Sequence, residues 1–181
     1  MIKIISGFAG IGKSTLAKVA CNIVDLESSE YKWKYTIDTS EMTVEERKGI
    51  TERVQDPEWP MNYIQAIKEE SENYDYILLC MDKPVRDLLV KEGIEFALAF
   101  PSLDSKDEYI ERLKNRGNNQ AFINLITKNY DKWINDLMEE PQDKMIVRPG
   151  EFLADVIGPE FTYSQADAIL NKLSELSDNE K

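Results

Sequence analysis

Short apolar runs alternate along this chain with longer stretches of helical period. MIKIISG, residues 1–7, is an apolar run that stops at a glycine and predicts a strand. GKSTLAKVACN, 12–22, has the period of a helix, and NIVDLES, 22–28, predicts a second strand ending near Asp25. Thr43 and Glu46 have the spacing of a capping box, which opens a helix running to about Gln55, with Pro57 and Pro60 breaking it. MNYIQAIKEE begins another helix at Met61. YDYILLCM, 74–81, is apolar without alternation, as for a strand buried on both faces. Pro84 suits the first turn of a helix through Leu89, and EFALAF, 95–100, is a further strand. Ser105 and Glu108 are expected to cap the helix DEYIERLKNR. Phe122, Ile126, Tyr130, Trp133 and Leu137 mark the apolar face of the longest amphipathic segment, and they are expected to be core. KMIVR, 144–148, is a last short strand. Ser164 and Asp167 begin a final helix with Ile169, Leu170, Leu173 and Leu176 on its apolar side, followed by a frayed SDNEK tail.

Strands alternating with helices predict an α/β architecture with a mainly parallel sheet of about five strands, in one domain spanning 1–181. The balance of 42% hydrophobic and 31% charged residues suits a folded chain rather than a disordered one. No apolar run approaches the roughly 18 residues of a membrane span. Nothing at the N-terminus has the form of a secretory signal, so a cytoplasmic location is expected. Cys21 and Cys80, each in an apolar stretch, are expected to be buried free thiols. The chain has no histidine, which removes imidazole bases, His-based triads and His-metal sites. The 34 acidic and 22 basic residues give a formal charge of −12, which opposes binding to a nucleic-acid backbone.

The most specific signal is GFAGIGKST, residues 7–15. Gly7, Gly12, Lys13 and Ser14 meet the pattern G-x-x-x-x-G-K-[ST] between an expected strand and an expected helix. Glycines let the backbone curl until several N–H groups point into one concavity, which the start of a helix makes more positive. Lys13 is placed to reach the β- and γ-phosphates of a nucleoside triphosphate, and the Ser14 hydroxyl to ligand Mg²⁺. The motif names a ligand class and not a reaction.

The same loop, with Gly7, Gly10, Ile11, Gly12, Lys13, Ser14 and Thr15, resembles the G-x-x-G-x-G-K-x-T loop of adenylate kinases and related nucleoside monophosphate kinases. CMDKPVR, 80–86, resembles that family's strand followed by Asp-Gly-aromatic-Pro-Arg, although Lys83 stands where the glycine falls and Val85 separates Pro84 from Arg86. ERLKNRG, 111–117, resembles the arginine stretch that opens the family's lid. VDLESS, DPEWPMNYI and YIERLKNRGN are also similar to small bacteriophage P-loop proteins regarded as nucleotide kinases.

The resemblance implies a P-loop NTPase three-layer sandwich that uses ATP and Mg²⁺ and passes the γ-phosphoryl group to a small acceptor, most readily a nucleoside monophosphate. It implies that Asp82 joins Ser14 at the metal and that Arg86 meets the acceptor's phosphate. It further implies that Arg112 and Arg116, one turn apart, clamp the transferring group. Residues 26–73, with Trp33, Tyr35, Arg47, Arg53, Trp59 and Tyr63, correspond to the acceptor region. Residues 112–122 correspond to a short lid in which Gly117 is a candidate hinge and Lys128 and Lys132 lie near by. The larger lids of the family carry a second arginine pair, and beyond Arg116 this chain has Arg148 alone. Arg148 and Gly150 fall where the family contacts the donor base, and Asp25 falls where related small-molecule kinases orient an acceptor hydroxyl. Two other readings stay open: a nucleotide-dependent regulatory protein or slow ATPase without transfer, and a kinase of a non-nucleotide hydroxyl.

Overall fold

The computed structural model describes residues 3–47 and 50–158. The expected helix after Ser164 and the SDNEK tail lie outside the described residues. The chain begins β1 (Ile4–Gly7), α1 (Lys13–Val19), β2 (Ile23–Asp25), α2 (Ser29–Lys32), β3 (Trp33–Tyr35), α3 (Val44–Arg47) and β4 (Arg53–Gln55). It continues α4 (Met61–Glu70), β5 (Tyr76–Leu79), α5 (Lys83–Lys91), β6 (Ala97–Pro101) and a 3₁₀ turn at Leu103–Ser105. It closes with α6 (Lys106–Asn115), α7 (Gln120–Glu139), β7 (Lys144–Val147) and α8 (Leu153–Val156).

Five strands form one parallel sheet in the order β2-β5-β1-β6-β7. Ile5 of β1 stands opposite Leu78 of β5 on one side and Ala97 of β6 on the other. Every residue of β1, β5 and β6 is buried, so helices must cover both faces of the sheet. This is the three-layer α/β architecture that the sequence pattern predicts. Because the strands are parallel, Gly7, Asp25, Leu79, Pro101 and Val147 all end at one edge of the sheet. Ligand sites of open α/β sheets lie outside that edge, where the strand order reverses.

The helices follow their apolar stripes. α7 buries Ile123, Ile126, Tyr130, Ile134 and Leu137, and the Asn119 side chain caps it by accepting from the Phe122 N–H at 2.9 Å. Phe122 and Trp133, also expected in the core, are half-buried against it. Pro84 lies in the first turn of α5, which runs two residues past the expected Leu89.

Three expectations fail. The helix that opens at Thr43 does have its capping box, with the Thr43 N–H donating to Glu46 at 2.7 Å and the Glu46 N–H to the Thr43 hydroxyl at 3.3 Å. It does not reach Gln55, because Arg53–Gln55 pair antiparallel with Trp33–Tyr35 in a separate two-stranded sheet. Ser105 and Glu108 do not cap α6. The preceding 3₁₀ turn holds Ser105 at φ −81° and ψ −1°, already helical, and its hydroxyl meets Ser102 at 2.8 Å. Cys80 is partly buried, but Cys21 is exposed, just past the end of α1.

Arg86 of α5 is buried and donates to both carboxylate oxygens of Glu140, at 3.1 and 2.7 Å, and to the Met81 carbonyl. Removing one partner of a buried pair leaves the other charge uncompensated. Arg86→Ala is therefore expected to lower unfolding stability by about 3 kcal/mol in denaturant titrations. A variant of wild-type stability with a raised KM for the acceptor would instead return Arg86 to the substrate.

Candidate active site at the carboxyl edge of the sheet

The loop between β1 and α1 sits at the centre of the edge. Gly10 and Gly12 have φ of +84° and +101°, which side chains rarely tolerate, and they produce the curl that the motif calls for. Two anchors fix the loop to the sheet and to α8: the Phe8 N–H donates to the Ala99 carbonyl and the Leu153 N–H to the Ile11 carbonyl, both at 2.8 Å. The Phe8 ring packs on Tyr109, Tyr130 and Trp133 at 5.8, 6.3 and 6.4 Å, so the loop rests on α6 and α7. Ile11 is fully buried and Thr15 is exposed.

Lys13 folds back over the loop and donates to the Gly7 carbonyl at 3.0 Å and the Phe8 carbonyl at 3.2 Å. A Cβ on Gly7 would lie 2.8 Å from the Lys13 Cδ, so the glycine makes room for the lysine stem. Desolvation lowers the Lys13 pKa below its ordinary value. Asp25, Cys80 and Glu27 oppose that shift, and Arg116 adds to it. These groups therefore share one electrostatic neighbourhood.

Asp25, at the end of β2, receives a 2.6 Å hydrogen bond from the Ser14 hydroxyl. Asp82 makes no hydrogen bond to Ser14 or Lys13 among the described residues. The position after β5 is Cys80, and Met81 separates it from Asp82, which begins α5 and pairs with Lys32 at 2.5 Å. The structure thus brings Lys13, Ser14 and Asp25 together and leaves Asp82 and Arg86 bound to other partners. Asp82→Asn is expected to change transfer less than threefold, because a half-exposed ion pair contributes little. A loss approaching a hundredfold, measured against Mg²⁺ concentration, would restore Asp82 to the metal.

The two arginines of α6 differ. The Arg112 guanidinium lies 4.0 Å from the Phe152 ring and donates to the Glu151 carbonyl at 2.8 Å and to Glu108. Glu108 in turn accepts from the Gly150 N–H at 2.9 and 3.1 Å. Arg112 is thereby tied to the loop after β7. Arg116 is exposed and has no ion pair among the described residues. Gly117, at φ +81°, closes α6: its N–H meets the Lys114 carbonyl at 2.9 Å, and the Asn118 N–H meets the Leu113 carbonyl at 3.1 Å. Arg148 is exposed and lines a shallow recess with Glu108, Tyr109, Arg112 and Val147.

The acceptor stretch contributes a ladder of rings and cations. Arg53 lies 4.4 Å from the Trp33 ring, and Lys32 lies 5.7 Å from Trp33 and 5.3 Å from Trp59. Trp59, Tyr63 and Tyr31 continue it at 5.3 and 5.1 Å. Arg47 pairs with Glu30, and the Tyr35 hydroxyl is buried without a partner.

Sequence reasoning missed Phe152, which is half exposed beside Gly12, where a Cβ would lie 3.4 Å from its ring. It also missed the Lys32–Asp82 bridge, which joins residues 50 apart. The i,i+4 spacing of Glu108 and Arg112 did offer Glu108 as a partner for the arginines of this helix, and the structure pairs them.

No family model matches the sequence, and no curated protein matches it. Among solved structures the chain is similar to a gluconokinase from Sinorhizobium meliloti 1021, at 17% identity over 98% of this chain and 96% of that one, with a TM-score of 0.45. The fold itself is a three-layer α/β sandwich around a parallel five-stranded sheet, with a glycine-lysine loop leaving its central strand. No helix among the described residues is long and apolar enough to cross a membrane.

Proposed function

We propose that this chain is an ATP- and Mg²⁺-dependent phosphotransferase acting on a small acceptor, in a single kinase domain of the cytoplasm. The observation that carries the reading is the meeting of Lys13, Ser14 and Asp25 at a curled glycine loop. This donor set fits a nucleotide with its metal: loop amides for phosphate oxygens, an ammonium, a hydroxyl and one carboxylate. Lys13 and the backbone of residues 9–14 hold the phosphates. Lys13 exchanges two carbonyl partners for charged oxygens, in a desolvated site where that contact is strong. Ser14 and Asp25 would hold Mg²⁺, which would supply neutralising charge for the phosphate oxygens. Asp25 accepts a hydrogen bond from the Ser14 hydroxyl and so would orient that oxygen as a metal ligand. Arg116 is the arginine left to close on the transferring group, and Arg112, Phe152 and Arg148 flank the donor base. Phosphoryl transfer asks for positioning and electrostatics more than covalent chemistry, and these residues supply both.

The acceptor is a nucleoside monophosphate entering over residues 26–73, with residues 112–122 as a short lid. Trp33 offers a stacking face there, and Arg53 offers charge for a phosphate. Arg53 takes the place first assigned to Arg86, which Glu140 holds. A hydroxyl acceptor is the second reading, favoured by the placement of Asp25 beside the loop, where a general base is needed.

The test is a transfer assay with Mg²⁺-ATP and a panel of ribo- and deoxynucleoside monophosphates and small polyols, products being separated by chromatography. ADP with a matching diphosphate supports the first reading. A phosphorylated polyol supports the second. ADP with free phosphate whatever the acceptor, or tight ATP binding without ADP, sinks both in favour of an ATPase or a regulatory protein.

A further inference from the structure

Among the described residues, three tyrosines are wholly buried: Tyr63, Tyr109 and Tyr130. The Tyr63 hydroxyl donates to the Leu26 carbonyl at 2.6 Å, and the Tyr130 hydroxyl to the Ser102 carbonyl at 2.8 Å. The Tyr109 hydroxyl has no partner among the described residues. A buried hydroxyl without a hydrogen bond costs stability, so its place in the fold asks for a reason. Tyr109 is 1% exposed, in the first turns of α6, with its ring 5.8 Å from Phe8 and 6.0 Å from Tyr130. Its oxygen points at the outer wall of the phosphate loop: a Cβ on Gly10 would lie 3.1 Å from it. The same helix carries Arg112 and Arg116, one and two turns further on. Both act on the Tyr109 hydroxyl, opposing the upward pull that burial exerts on its pKa.

A planar peptide points its N–H and its C=O in opposite directions. When loop amides turn inward to meet phosphate oxygens, the carbonyls of the same peptides turn outward. Beside Gly10 stand Tyr109 and Leu113, each 3.1 Å from where a Cβ would lie. We propose that the Tyr109 hydroxyl is a positioning donor that bonds a loop carbonyl at residues 9–10 only when a nucleotide's phosphates shape the loop, coupling occupancy to the arginine helix α6. The proposal rests on the reading of this loop as a triphosphate site. Tyr109 touches neither nucleotide nor acceptor and acts through the loop.

Tyr109→Phe removes the hydroxyl and keeps the ring contacts, so two readouts should move in opposite directions. Without nucleotide, the melting temperature of the variant should equal or exceed that of the wild type, because no bond is lost. With Mg²⁺-ATP, the thermal shift should shrink and the dissociation constant by calorimetry should rise about fivefold, the worth of one hydrogen bond. The KM for ATP should rise with it while kcat at saturation holds. A variant that binds Mg²⁺-ATP as tightly as the wild type overturns the proposal, as does a melting temperature lowered without nucleotide, which would mean that the hydroxyl already has a partner. The wild type is titrated first. If it binds no ATP, the triphosphate reading itself fails and the proposal goes with it, whereas wild-type binding with an unaffected variant sinks the proposal alone.

Discussion

Lys13→Ala is expected to lower phosphoryl transfer about 10³-fold, the scale on which preorganised charge stabilises a transition state. The fold should survive. The ammonium is partly desolvated and its two partners are loop carbonyls, so removing it ends a burial cost along with two hydrogen bonds. Melting temperature and transfer rate should therefore separate, the first shifting by a few degrees at most and the second collapsing. ATP binding by calorimetry should weaken as well, since Lys13 contacts the phosphates before the transition state as well as in it. A variant that transfers at the wild-type rate would remove the lysine, and the phosphate-loop mechanism with it, from this protein's chemistry.

Asp25→Asn carries the second large effect. The amide can still accept from the Ser14 hydroxyl, so what the substitution removes is charge. Loss of a carboxylate that orients a metal ligand typically costs about 10- to 100-fold in metal affinity or activity. The expected signature is a transfer rate lower by about that factor together with a higher Mg²⁺ requirement. Raising Mg²⁺ should recover part of the rate. If Asp25 instead acts as the base for a hydroxyl acceptor, the rate falls by about 10²- to 10⁴-fold and added Mg²⁺ recovers none of it. Unchanged activity at every Mg²⁺ concentration would contradict both roles. With Asp82→Asn run in parallel, the experiment also decides which of the two strand-end carboxylates serves the metal.

That question shows where sequence reasoning reaches and where it stops. The main-sheet strands and the long helix were legible because their burial is written into local pattern: YILL is apolar at every position and buried at every position, and Ile126, Tyr130 and Leu137 of the expected apolar face are buried in α7. The phosphate loop was legible because its glycines are required by backbone angles that few other residues adopt. The choice between Asp25 and Asp82 was not. Both follow an apolar run, but Cys80 and Met81 separate Asp82 from the end of β5, and there it pairs with Lys32 while Asp25 bonds Ser14. The β3–β4 pair was hidden for a related reason. Each strand has three residues, too few to show a period, and the pairing joins segments about twenty positions apart, while Thr43 and Glu46 announce a helix start without announcing its end. Arg86 illustrates the limit for charged side chains: spacing places it on α5, but only tertiary packing reveals that Glu140 has taken it.

The Tyr63 hydroxyl has a consequence of its own. Besides donating to the Leu26 carbonyl, it accepts from the Cys80 N–H at 3.4 Å, so one oxygen stitches the exits of β2 and β5 together beneath the acceptor stretch. Residues at the end of a strand ordinarily fray and exchange their amide protons through small local openings. Here the Cys80 amide is held from within the core by a side chain that is itself fully buried. In deuterium it should exchange at the slow pace of the neighbouring β5 amides, and lose that protection in Tyr63→Phe. The floor of the site would then behave as part of the most stable cooperative unit of the molecule, with motion confined to the segments above it.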